Sequence, residues 1–548
     1  MKEVQLTWPA ANGAAFYRVL ENPDGVSGFV QVGADLTALS FNHTIPVHRR
    51  LNASYIVEAC NNIGCTSSAP QAPGANLTQA IGYFKASNTG ADDRFGIAVA
   101  LSGDGNTLAV GAAFEASSTS GIDSVPDDTA VQAGAVYVFT RIAGAWSQQA
   151  YVKASNAQAG DRFGISLALS ADGNTLAVGA PNEDSSSTGV GSTPNELASP
   201  AAGAAYVFTR SGGTWSEQAY VKPLNPGSLD QFGTSVALSA DGNTLAVGAD
   251  REASSTTGIN TIPNEGANDA GAAYVFTRSG ITWSQQAYVK PSNTGADDRF
   301  GSSVALSSDG NTLAVGARLE DSNTTGVGST PNDLALNAGA AYVFTRSGIT
   351  WSQQAYVKAS NTQTGDNFGG SVALSGDGNT LAVGSIGEDS STTGIGSTPD
   401  ELAADAGAVY VFTRGGIAWS QQAYVKPLNS GVNDTFGRTV ALSGDGNALL
   451  VGANGEDGSS AGISGTPNEG APEAGAAYVF TRSIATWSQQ VYVKASNTGT
   501  GVSFGGAVAL SGDGNTLAVG ALNEDSSTTG IGSTPDESAV DAGAVYLY

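Results

Sequence analysis

Apolar and polar positions alternate in short runs along most of the chain, and the runs recur. FGISLALS (163–170) alternates large and small residues, ADGN (171–174) is a turn signal, and TLAVGA (175–180) is a second apolar run. A long polar stretch follows over 181–201. GAAYVFTR (203–210) then reads as a β-branched and aromatic strand, SGGT turns the chain, and WSEQAYVK (215–222) reads as a fourth strand. We call these strands A, B, C and D. No window has a convincing 3.6-residue period.

The same text recurs along the chain. A Phe-Gly pair falls at Phe95, Phe163, Phe232, Phe300, Phe368, Phe436 and Phe504, in steps of 68 or 69 residues. Four strands per unit, at that period, predict a propeller blade. The last copy stops after AGAVYLY (542–548), its strand C, while LTQAIGYFKAS (77–87) reads as a strand D with no A, B or C before it. The expected fold is therefore all-β: a seven-bladed β-propeller of four-stranded blades over 75–548, closed by an N-terminal strand. A small β-sandwich over 1–74 precedes it.

The FG…VALSGDGNTLAVGA pattern resembles FG-GAP repeats, the units of the integrin α-subunit seven-bladed propeller, in their short-turn bacterial variety. The resemblance covers 77–548. It implies an extracellular adhesion or binding module. Integrin-type repeats often hold calcium in an acid-rich A–B loop, but here that loop is SGDGN (102–106) and its equivalents, with one acid each, such as Asp104 and Asp309. One carboxylate is too few for a calcium cage, so these turns read as tight hairpins and no cofactor is expected from them. VQLTWPAANGAAFYRVLENPDG and ASYIVEACNNIGCTSSAP resemble a fibronectin type III domain lacking its first strand. The resemblance makes Trp8 its core tryptophan and Tyr55 its late-strand tyrosine. Cys60 and Cys65 flank a hairpin-like turn, and a disulfide or free thiols are both open; a bridge would imply an oxidising compartment. APQAPGAN (69–76) reads as a linker. Met1 is expected to begin a fragment of a longer chain with flanking domains, secreted or at the cell surface.

Charge narrows the partners. The net charge is −26 with only 13% charged residues, and four bases against five acids in residues 1–80 leave −25 to the repeats. That argues against nucleic acid, and no apolar run approaches the roughly 18 residues of a membrane span. Two histidines and two cysteines leave little for zinc, haem or nucleophile–histidine chemistry.

Strand order puts D–A and B–C loops on one face of the ring, and A–B and C–D turns on the other. The long-loop face is expected to be an acidic platform. An Asn lies seven residues before each Phe-Gly. An Asp lies two before it at Asp93, Asp161, Asp230, Asp298, Asp366 and Asp434, with Val502 in the seventh copy. A Glu follows each Val-Gly pair at Glu115, Glu183, Glu252, Glu320, Glu388, Glu456 and Glu524, five of them followed by Asp as at Asp184. These acids are the candidate ligand-binding face and the candidate metal ligands. Two readings are open: cation binding between the long loops, or loop capping by Asn and Asp with each Glu paired to a strand-D lysine such as Lys153.

The expected function is a non-catalytic module that presents this face to a protein or glycan; the alternative is a structural spacer or filament subunit. Sevenfold repetition supplies many equivalent acids and no distinguished pair, so no enzyme is expected.

Overall fold

The computed structural model describes residues 2–74, 82–195 and 198–548. Its regular elements are strands, apart from one 3-10 turn at Val47–Arg49. Seven four-stranded antiparallel sheets occupy the repeats, a β-propeller architecture. In the fourth repeat the strands are Phe300–Leu306, Thr312–Ala317, Ala340–Ser347 and Thr350–Val357, hydrogen-bonded in that order. Strand B is buried at every position, because a neighbouring sheet covers each face. That is why TLAVGA shows no in–out alternation.

The cores lie between sheets. Val207 and Val221 of the second repeat pack with Phe232, Val247, Phe276 and Trp283 of the third. The Phe-Gly glycine is what allows the approach. Gly301 has φ 93°, and a Cβ there would collide with the carbonyl of Ala272. It sits in a bulge, where the A–B register shifts between Phe300 and Ser303. In the first, second and sixth repeats the ladder begins only after this bulge, at Ala98, Ser166 and Thr439, so strand A is shorter there than its apolar text suggested.

A chain of backbone hydrogen bonds links the A–B turns from sheet to sheet. Gly103 donates to Ala171, Ala171 to Ala240, Ala240 to Ser308, Ser308 to Gly376, Gly376 to Gly444 and Gly444 to Gly512, at 2.8–2.9 Å. A Cβ on Gly512 would lie 3.2 Å from the Gly103 carbonyl, so the series returns to its start. Only small residues occupy these positions because the turns crowd together there.

The last sheet takes its fourth strand from the other end of the chain. Gly82–Phe84 pairs antiparallel with Ala544–Leu547, Phe84 opposite Val545 and Gly82 opposite Leu547. Residues 77–81 of the expected closing strand lie outside the described residues.

In the N-terminal unit, Lys2–Thr7 pairs with Ser40–Ile45, and a second sheet runs Val30–Leu36, Phe16–Asn22, Ser54–Cys60, Cys65–Ser67. Val19, Ala53 and Tyr55 form its buried core, with Trp8 half-buried against Tyr17 at 5.7 Å. Cys60 and Cys65 are joined in a disulfide. Ile45 and Val47 pack into the same cluster as Leu517 and Tyr548, and His48 Nε2 meets the Gly514 carbonyl at 3.0 Å.

Candidate ligand-binding face

The recurring polar residues of the long-loop side converge on one network per repeat. In the fourth, Glu320 Oε2 accepts from Lys358 Nζ at 2.9 Å and from the backbone N–H of Ser322 at 3.1 Å. Its Oε1 accepts from Tyr356 Oη at 2.8 Å and Asn293 Nδ2 at 3.1 Å. Tyr342 Oη donates to Asn293 Oδ1, and the lysine also donates to the Gly339 carbonyl. Sequence dictates this meeting: Tyr and Lys stand two apart on strand D, so both side chains leave the same side of the sheet. Equivalent pairs join Glu115 to Lys153, Glu183 to Lys222, Glu252 to Lys290, Glu388 to Lys426 and Glu456 to Lys494. In the seventh sheet the closing strand supplies Lys85 and Tyr83 to Glu524.

This corrects the placement of the candidate residues. All seven glutamates are buried, and so are Asp93, Asp161, Asp230, Asp298, Asp366 and Asp434; only Asp184 is half-exposed. None of the thirteen buried acids presents a surface charge. Each glutamate is already neutralised by an ammonium, which leaves it no demand for a cation. The aspartates cap their own loops: Asp366 Oδ2 accepts the N–H of Gln363 at 2.8 Å, and Asp230 Oδ2 that of Gly227 at 2.6 Å. Burial pushes the carboxyls of Asp93, Asp230, Asp298 and Asp434 up to about 7, and that of Asp366 to about 8. Asp184 accepts the N–H of Ala201 at 2.8 Å. Among the described residues the one close group of metal-ligating types is Glu58, Cys60 and Cys65, and its two sulfurs are bonded to each other.

The exposed acids of this face are others, further along the B–C loops: Asp127, Glu265, Asp333, Glu401 and Glu537. They stand beside exposed apolar side chains, Leu334 next to Asp333 and Leu402 next to Glu401. The sequence reading also passed over a set of arginines at the inner end of this face, Arg251, Arg299, Arg318 and Arg438. The signal was present: these positions differ from copy to copy while their neighbours repeat.

On the opposite face the turn aspartates close their own hairpins: Asp309 accepts from Ser307 Oγ and from the backbone and side chain of Asn311. The arginines at the end of strand C clamp neighbouring sheets. Arg346 lies over Trp351 at 5.3 Å and donates to Asn311 Oδ1, and to Gln286 and Thr244 of the third repeat. Trp351 Nε1 donates to the same Gln286 oxygen at 2.9 Å.

Among the described residues no helix is long and apolar enough to cross a membrane. A search of curated proteins returned no match. Among solved structures, the chain is similar to the periplasmic gluconolactonase of Pseudomonas aeruginosa, at 15% identity and a TM-score of 0.41, over 88% of this chain and 98% of that one. It is also similar to a putative 6-phosphogluconolactonase from Bacteroides uniformis, at 9% identity and a TM-score of 0.39, over 88% and 98%. The expectation that the chain is no enzyme is withdrawn: repetition of the blades spoke only for the repeated positions, and both of these structures are named as lactonases. The FG-GAP repeat family matches six stretches, 146–208, 215–276, 283–344, 351–412, 419–480 and 487–548. They span more than half of the chain, and the chain belongs to the FG-GAP repeat family.

Proposed function

We propose that the chain is an extracellular or cell-surface binding module: a closed, integrin-like seven-bladed propeller beside a fibronectin type III-like sandwich, its long-loop face taking a protein or glycan ligand. The observation that carries this reading is the character of the outer B–C loops. They hold acids beside exposed apolar side chains, with Leu334 72% and Leu402 76% exposed and Val540 close behind at 63%. Apolar residues held in water on a rigid scaffold suit recognition. Binding of the full chain to glycan and protein arrays tests it. Leu334→Ser, Leu402→Ser and Val540→Ser together should abolish the signal while the fold persists; binding that ignores all three sends the ligand to another surface.

A structural spacer is the second reading. Its support lies on the opposite face, where Ile281, Ile349 and Ile417 project from three C–D hairpins, each about four-fifths exposed. Electron microscopy of native material should then show end-to-end contacts through those hairpins.

A further inference from the structure

The basic residues of the repeats fall into three groups. The seven lysines are held in the glutamate networks. Six arginines stand at the end of strand C on the short-turn face. The other six, Arg94, Arg162, Arg251, Arg299, Arg318 and Arg438, all fall at the long-loop ends of strands A and B. Strand A is the innermost of each sheet, and successive A strands pack on one another round the ring. These six arginines therefore gather at one mouth of the ring axis, inside a rim that is otherwise acidic.

The mouth is also where the copies stop agreeing. The residue after Phe-Gly ranges from Gly370 and Ile97 to Arg438, and the second residue after Val-Gly ranges from Ala113 and Leu522 to Asp250 and Arg318. Strands B, C and D beside them hardly change. A position needed only for stacking would repeat with the rest.

Three of the six arginines have partners. Arg94 and Arg162 lie over the ring of Phe114 at 4.6 and 5.1 Å. Arg299 pairs with Asp269 at 2.7 Å and with Asp250 at 3.7 Å. Arg251, Arg318 and Arg438 make no side-chain hydrogen bond or ion pair among the described residues. Arg251 Nε is buried without a partner, and so is Oδ1 of Asp250. Arg318 feels Asp250 and the like charges of Arg299, Arg438 and Arg251, which three different sheets contribute. Converging guanidinium groups with one shared carboxylate repel one another until an anion joins them. The rest of the mouth combines half-buried apolar side chains, Ile97, Ile165, Ile386 and Leu522, with uncharged polar ones, Thr234, Ser302 and Asn454. That wall suits a carbon skeleton between charges better than a bare inorganic ion.

We propose that the axis mouth on the long-loop side is an anion-binding site in which Arg251, Arg318 and Arg438 grip a ligand that carries carboxylates. The proposal rests on the reading of this face as a ligand-binding one. Isothermal titration of the full chain at constant ionic strength tests it, with citrate as a free carboxylate and oligogalacturonate as a glycan-borne one. Saturable binding is expected for at least one probe, and the stronger of the two names the source. Arg318→Gln should weaken it at least tenfold, Arg438→Gln severalfold, and Arg18→Gln in the N-terminal unit not at all. Melting curves of the variants should match or exceed the parent, because a like-charge repulsion has been removed. No saturable binding of either probe overturns the proposal, as does undiminished binding by the Arg318→Gln/Arg438→Gln double variant. If array ligands still bind in those cases, the face keeps its role and this site alone is lost.

Discussion

At the scale of single residues, the decisive fact is that Lys358 and Glu320 leave water together. Both are essentially unexposed, and the ammonium and carboxylate meet at 2.9 Å. Desolvation offsets most of the attraction between two such charges, but deleting one strands the other at about 3–5 kcal/mol. Lys358→Met should therefore lower stability by that amount in urea titration, while Glu320→Gln combined with Lys358→Met should recover part of it. Because every glutamate has its own lysine, adding calcium or a chelator should leave the melting temperature unchanged. The capping aspartates behave differently. An Asp whose carboxyl is raised in the folded state binds its proton more tightly there than in the unfolded chain. The stabilisation is complete below the unfolded value near 4 and is lost as pH rises through about 7 to 8. Melting temperature should thus rise as pH falls from 8.5 to 6, and Asp366→Asn should flatten part of that slope. The recurrence of Asn, Asp and Glu was legible in the sequence, but their exposure was not. Pairing of each Glu with a strand-D lysine was one of two open readings of the sequence, and the fold brings Glu320 to Lys358, 38 residues further on.

At the scale of elements, stability resides in how each sheet grips the next. One Gln286 oxygen takes both the Trp351 indole N–H and an Arg346 N–H across the junction of the third and fourth repeats. Gln286→Leu keeps the volume but leaves two donors unmet, a cost of about 2–3 kcal/mol measurable by denaturant titration. Among the described residues the first repeat lacks this clamp. Trp146 Nε1 is buried without a partner, and the ring packs against Phe84 at 5.6 Å instead. At the last sheet Arg49 of the N-terminal unit faces Asp445 and Asp513, as Arg482 faces Asp445 and Asp377 one sheet earlier. The junctions on both sides of the seventh sheet are thus assembled from different parts. Amides of Gly82–Phe84 and Ala544–Leu547 should exchange with deuterium faster than those of Ala340–Ser347 and Thr350–Val357.

At the scale of the whole molecule, the sheets were readable because a 68-residue period carries four strand patterns between strong turns. The structure returns B, C and D of the second repeat as Thr175–Ala180, Ala204–Ser211 and Thr214–Val221, within a residue or two of their text. What could not be read was radius. Sequence places a residue along a strand, whereas distance from the ring axis depends on which strand lies innermost and which turns converge. Arg318 and Arg438 come from different copies, and nothing local in either segment announces that one feels the charge of the other.

The pairing of Phe84 with Val545 also sets an order of events. A ribosome releases Gly82–Phe84 long before it has made residues 544–547, so the closing strand must wait, unpaired, through the synthesis of everything between. Six sheets can stack as they emerge, but the seventh cannot form until translation has passed its last strand. Until that moment the growing chain carries an open sheet edge, and Lys85 without its glutamate. A nascent chain stalled after residue 500 should therefore be held by chaperones, and release of the stalled chain to completion should free it.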